Sequence, residues 1–243
     1  MNNESSSGDA GRTQVVRDQG RENGLFRACM DQIRSSHTVG QTLRNAAIAA
    51  GLLTDAECYA ELLGQFYVVT AALEVRIEEL VAEVGETKSN NDDGKLVARV
   101  AKKLGYSFTL GYERDLNALL GKGWRVTTES WTTEPARRYA RRLETASDAE
   151  CAAAAFILHG PLAIGGGAML KPRVERAFGE GATNVFRDVT GTAKGGRSAR
   201  RRDFVDCYDT LLDDVKSDEP PCNVNEDARD DRFETIVDAC GEF

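Results

Sequence analysis

Long apolar runs are missing from these 243 residues. The longest, Cys151 to Leu158, falls far short of the roughly 20 residues that a bilayer span needs, and no basic segment followed by an apolar one opens the chain. The expectation is a soluble, intracellular protein without a membrane span or leader. Histidine is nearly absent, with His37 and His159 the only two, so any imidazole-dependent chemistry must use one or both. The six cysteines (Cys29, Cys58, Cys151, Cys207, Cys222, Cys240) form no CxxC pair and have no histidine beside them. That argues against zinc ribbons, iron–sulfur clusters and a dense disulfide scaffold, and a reducing compartment is the simpler setting. Sustained period-two alternation of β-branched residues is also missing, so no sheet is predicted. Nor is there a surplus of positive charge. With 31 basic against 39 acidic side chains the net charge is −8, and no nucleic-acid partner is expected.

What is present is helical periodicity. Residues 1–23 hold almost no large apolar side chains and cannot offset their ordering entropy, which predicts a disordered tail; residues 24–243 form the domain. Phe26, Cys29, Ile33 and His37 recur at spacings of three and four, placing His37 on or beside a buried stripe. Thr54 to Glu57 and Ser147 to Glu150 both have capping-box spacing and announce helix starts. The first opens a helix running to about Glu83, followed by a polar loop from Thr87 to Gly94. Further helices are predicted over Lys95 to Leu104, Tyr112 to Leu120, Pro135 to Thr145, Ala149 to Phe178, Phe204 to Val215 and Asp227 to Cys240. Pro135 suits a first helical turn, where its missing amide costs nothing. The class is all-α, with no internal repeat.

Three features go beyond packing. A lone histidine on an apolar face, such as His37, is ordinarily a satisfied core residue or else a ligand. Gly165-Gly166-Gly167 interrupts a helical pattern at a cost of roughly 3 kcal/mol relative to alanines. It reads either as a break between two helices or as a kink that lets a flat ligand approach the backbone; no strand precedes it, so it is no dinucleotide fingerprint. Lys194, Arg197, Arg200, Arg201 and Arg202 form a basic run that is either a solvated loop or a contact for phosphate, carboxylate or an acidic partner.

Taken in order, Gln32 to His37, Gly51 to Thr54, Tyr67 to Glu74, Arg114-Asp115-Leu116, Gly121 with Trp124, Pro135 to Leu143, and the glycine triplet with Leu170-Lys171 resemble the heme oxygenase family from about Leu25 to Phe243. The resemblance implies a single-domain heme oxygenase-like helical bundle. It implies that His37 binds heme iron, that Gln41 stands where the family has a carboxylate orienting the imidazole, and that Gly166 and Gly167 lie against the other heme face. It further implies heme as substrate and cofactor, an external reductase as electron source, and cleavage to biliverdin, carbon monoxide and iron.

The departures gather at the chemistry. The distal aspartate that orders the family's proton-delivering water falls on Ala163, Leu162 replaces a glycine, and Ile157 and His159 replace a tyrosine and an arginine. Pro161 disturbs the helix just before the triplet. The propionate-anchoring positions fall on Met30, Val205 and Asp209, leaving Arg34 and the run Arg200 to Arg202 as substitute cations. His159 is expected either to approach heme from the distal side or to be a partly exposed histidine near a kink. The sequence therefore leaves open a weakened heme oxygenase, or a catalytically silent scaffold binding heme, another tetrapyrrole or a protein. A third class, a diiron or cofactorless enzyme, would use Glu74, Asp115 and His159 around one cavity.

Overall fold

The computed structural model describes residues 24–86, 96–164, 166–186, 196–212 and 226–242. The expected N-terminal tail, the loop from Thr87 to Gly94 and Gly165 lie outside the described residues. Eleven α-helices occur among the described residues and no strand: α1 (Leu25–Gln32), α2 (Arg34–Ala49), α3 (Ala56–Glu86), α4 (Leu96–Leu104), α5 (Thr109–Leu120), α6 (Trp124–Trp131), α7 (Glu134–Glu144), α8 (Asp148–Ile164), α9 (Gly166–Phe178), α10 (Gly196–Asp209) and α11 (Glu226–Glu242). The expected all-α bundle is what the chain forms.

Two apolar cores share one spine. At 31 residues α3 is about 46 Å long at 1.5 Å per residue, so it spans both. Its first half buries Tyr59, Ala60 and Leu63 with Phe108, Leu116 and Trp124, while its second half buries Leu73 and Leu80 with residues of α1, α4, α8, α10 and α11. The apolar run at Cys151 to Phe156 belongs to α8, the central strut of this larger, first core; the core around Tyr59 and Trp124 is the second. Its alanines let neighbouring helices approach closely, and the Tyr208 hydroxyl donates to the Ala152 carbonyl at 2.8 Å.

Several helix starts are capped from remote parts of the chain. Gly24 and Phe108, which precede α1 and α5, offer no capping side chain. Asp209 of α10 accepts from the Phe26 amide at 3.0 Å, and Glu74 of α3 accepts from the Phe108 and Thr109 amides at 2.6 and 3.3 Å. Asp148 accepts from the Leu96 amide and, at 2.9 Å, from the Val97 amide. Each carboxylate satisfies orphan donors and meets the positive end of a helix dipole while tying two helices together.

The local signals fare unevenly. Ser147 and Glu150 form the expected reciprocal box, with the Ser147 amide donating to Glu150 at 2.9 Å and the Glu150 amide to Ser147 Oγ at 3.3 Å. Pro135 lies in the first turn of α7 as expected. At α3 the cap is Asp55, which accepts from the Cys58 amide at 2.9 Å; Thr54 instead donates back to the Gly51 carbonyl, because it belongs to the preceding 3-10 turn. Of the expected helix from Ala149 to Phe178, Asp148–Ile164 and Gly166–Phe178 are helical, and Gly165 between them lies outside the described residues. Helix α6 was not anticipated, and α10 starts at Gly196 rather than Phe204, so Arg200, Arg201 and Arg202 sit on a helix and not in a loop. Lys194 lies outside the described residues.

Candidate functional site

The helix expected to carry His37 is interrupted at Ile33 (φ −86°, ψ 1°), between α1 and α2. No residue of α2 is buried and His37 is exposed, so its expected place on or beside the buried Phe26, Cys29, Ile33 stripe is corrected: the buried stripe does not continue past Ile33. On α2 the spacing puts His37, Gln41, Arg44 and Ile48 on one face. Ile48, at the end of that face, packs on the core cluster that also receives Tyr67 of α3, Leu162 of α8 and Leu170 of α9. His37 thus lies on the same helix face as Ile48, about three turns before it. Val39 and Leu43 are 59% and 65% exposed on the same helix, leaving an apolar flank beside the histidine.

The imidazole has one engaged nitrogen. Gln41 Nε2 stands 3.3 Å from His37 Nδ1, and His37 Nε2 bonds no described residue. Turning the Gln41 amide by half a rotation places its oxygen there; Nδ1–H then donates to it, and the Nε2 lone pair is left for a metal. Arg44, one turn on, has a buried Nε with no hydrogen-bond partner. Arg34 forms an ion pair with Asp31.

The positions that match the family's opposite face are different in kind. Ala163 is 1% exposed and packed in the first core, and Leu162 is half-buried against the second. Gly166 and Gly167 are the first two residues of α9. Met30 is half-buried against the first core and Asp209 is the cap of α1, so neither is available to an anionic group.

His159 is not the partly exposed histidine that was the plainer expectation. It is 4% exposed, against Phe108 with ring centroids 5.1 Å apart and Tyr106 at 6.4 Å. Residue 159 lies within α8, and its ring is buried in the bundle. Its Nε2 lies 3.9 Å from Glu74 Oε1, beyond hydrogen-bond reach, and has no partner. Burial pulls its pKa down to about 4, so it is neutral at pH 7. It opens onto a cleft walled by α3, α4, the 105–107 link and α8, and no residue of α2 lines that cleft.

Glu74, Asp115 and His159 do not gather around a metal. Among the described residues no group of three or more such side chains could hold an ion. Asp115, fully buried, accepts from the Asn184 amide at 2.7 Å, the Val185 amide at 3.0 Å and the Asn184 side chain at 2.8 Å. Its charge is spent on fixing the short turn Asn184–Phe186 against α5, as Glu74's is on starting that helix.

No protein-family model matches the chain, and neither does any curated protein. Solved structures do match it. Heme oxygenase 2 from Chlamydomonas reinhardtii, solved without heme, aligns with a TM-score of 0.66 and 23% identity over 90% of this chain and 93% of its own. The fold is heme oxygenase-like. Heme oxygenase from Leptospira interrogans aligns at 0.57 and 18% identity over 90% of this chain and all 100% of its own. Heme oxygenase-1 from the cyanobacterium Synechocystis, in complex with heme, aligns at 0.56 and 18% over 90% and 91%. No helix among the described residues is long and apolar enough to cross a membrane.

Proposed function

We propose that this chain binds heme through His37 and that it degrades heme slowly or not at all. The observation that supports the reading is the His37–Gln41 contact, which occupies Nδ1 and leaves Nε2 of an exposed histidine on the helix that the sequence resemblance takes as proximal. The donor set fits an iron porphyrin on that side: an imidazole with a neighbour to fix its tautomer, the exposed Val39 and Leu43 as an apolar flank, and the backbone of Gly166 and Gly167 for the other face. Bound heme would supply redox and oxygen chemistry, with electrons from an external reductase.

What this chain's own residues add on the distal side is little. Ala163 presents a methyl group inside a packed core, with no acid to hold water or move a proton. General acid–base groups contribute about 10²- to 10⁴-fold, so their lack favours binding over turnover. His37 would orient the group and Gln41 would hold the imidazole proton at Nδ1, with less push on the metal than a carboxylate gives. The expected substitute cations find limited support, since Arg34 is engaged by Asp31 and Arg200 lies beside Tyr106 of the separate cleft. A silent scaffold that binds a related tetrapyrrole or a protein is the second reading, favoured by the same packed Ala163.

Titration with hemin decides between them. A Soret band that shifts in His37→Ala and is retained in His159→Leu supports ligation by His37. A band unchanged in His37→Ala removes it, and no band leaves the scaffold reading. Reductant and air added to the loaded protein should give little biliverdin; turnover at a rate ordinary for heme oxygenases would overturn the weakened-enzyme assignment.

A further inference from the structure

The cleft onto which His159 opens has a volume of about 400 Å³, within the range of small-molecule sites. Its walls are hydrocarbon: Ile77 and Val81 from α3, Val100 and Leu104 from α4, and Ala155 from α8. Polar groups converge at one end. There Nε2 of His159, buried and without a hydrogen-bond partner, stands 3.9 Å from Glu74 Oε1, too far for a direct bond; a guest atom bonded to both displaces the side chains that cover Nε2. Glu74 is held rigidly, its two oxygens taking the Phe108 and Thr109 amides and the Ser107 hydroxyl, at 2.6, 3.3 and 3.2 Å.

Charge narrows the occupant. The charged side chains that line the cleft, among the described residues, are Glu74 and the exposed Glu78, and no lysine or arginine is with them. Arg200 acts on Tyr106 electrostatically but does not line the cleft, and Lys103 is turned to α10, donating to the Asp206 carbonyl and to Thr210. Depressed by burial, the imidazole is neutral near pH 7 and does not repel a cation.

We propose that this cleft binds a small amphipathic primary amine: an ammonium bridging Glu74 Oε1 and His159 Nε2, a hydrocarbon body between α3 and α4, and Glu78 adding attraction at the mouth. An ammonium has three donors and no acceptor, which matches two acceptors spaced for one guest atom. A carboxylate head would face two carboxylates, and an alcohol of equal length would forgo the charge. The site involves no residue of α2, so it stands whether or not His37 binds heme.

The test uses the full chain and three probes with one body and different heads: octylamine, 1-octanol and octanoate, below their aggregation concentrations. Calorimetry reads affinity, and the His159 ring resonances read location. Expected is saturable binding of octylamine with a shift of those resonances, and weaker binding of octanol and octanoate. Affinity should fall roughly tenfold or more in His159→Leu, which removes one hydrogen bond to a charged group. Glu78→Gln should weaken binding less, Ala101→Phe, which fills the α4 wall, should abolish it, and His37→Ala should leave it unchanged. Equal binding of all three probes, no saturable binding of octylamine, or octylamine affinity unaltered by both His159→Leu and Ala101→Phe would each overturn the assignment.

Discussion

His159 and Glu74 face each other at 3.9 Å, inside the bundle, without a hydrogen bond between them. The imidazole is stabilised there only in its neutral form, because burial lowers its pKa from 6.5 to about 4. Between those values the unfolded chain binds a proton that the folded chain refuses, so stability rises with pH across that window and is lost as pH falls through it. The full shift corresponds to about 3 kcal/mol. In urea denaturation from pH 7 to 4.5 the wild type should lose stability relative to His159→Leu as pH falls. Parallel curves would mean that folding leaves the imidazole's titration unchanged, and a wild type that gains on the variant as pH falls would mean that it is protonated in the fold, paired with Glu74.

Asp115 offers the clearest stability test of the remote caps. Its carboxylate takes three donors from Asn184 and Val185 while fully buried, so Asp115→Ala strands two backbone amides and should cost on the order of 3 kcal/mol. Asp115→Asn, which keeps one acceptor oxygen, should lose less. Equilibrium unfolding measures both, and a loss below about 1 kcal/mol in the alanine variant would show that the turn finds other partners.

Close packing around the same turn sets a sign opposite to helix propensity. Gly111 lies inside α5, where alanine would ordinarily gain about 1 kcal/mol. A Cβ there would stand 2.8 Å from Val185 Cα, which is backbone and cannot rotate aside. Gly111→Ala should therefore destabilise, by about 1–3 kcal/mol. Gly123→Ala, where nothing lies within 4 Å, is the matched control and should be neutral or stabilising. Equal thermal midpoints for the two would refute the clash.

These tests mark where the sequence was legible. Periodicity gave the all-α class and most helix spans, and the Ser147–Glu150 box was readable because both partners lie within one turn. The ordered run of motifs from His37 to Lys171 carried the fold's resemblance to heme oxygenases. Glu74 and Asp115 were read instead as candidate site residues and Asp209 as a lost propionate anchor, because their partners lie 34 to 183 positions away and a carboxylate looks the same in sequence whether it caps or catalyses. His37 misled for a related reason: a three-four repeat assumes a straight helix, and nothing local announced the turn at Ile33. The burial of His159 was hidden because the side chains around it come from α3 and the 105–108 segment, not from its own helix.

The last prediction concerns Ala163, where the family's aspartate would stand. If only that acid were missing, Ala163→Asp would restore a proton relay. The methyl group is 1% exposed in the first core, on the same helix face as His159 and one turn beyond it, so a carboxylate there would be buried in an apolar cluster. An unpaired buried charge is expensive enough that the group takes up a proton or the helix shifts. The expected outcome is a loss of about 3 kcal/mol or more at pH 7, recovering partly at low pH as the acid is protonated, with no gain in biliverdin formation. Circular dichroism melts at pH 5 and 7, beside a hemin turnover assay, measure both parts. Unchanged stability together with new turnover would mean that position 163 borders open space when heme is bound, and that this fold lost its chemistry through one side chain.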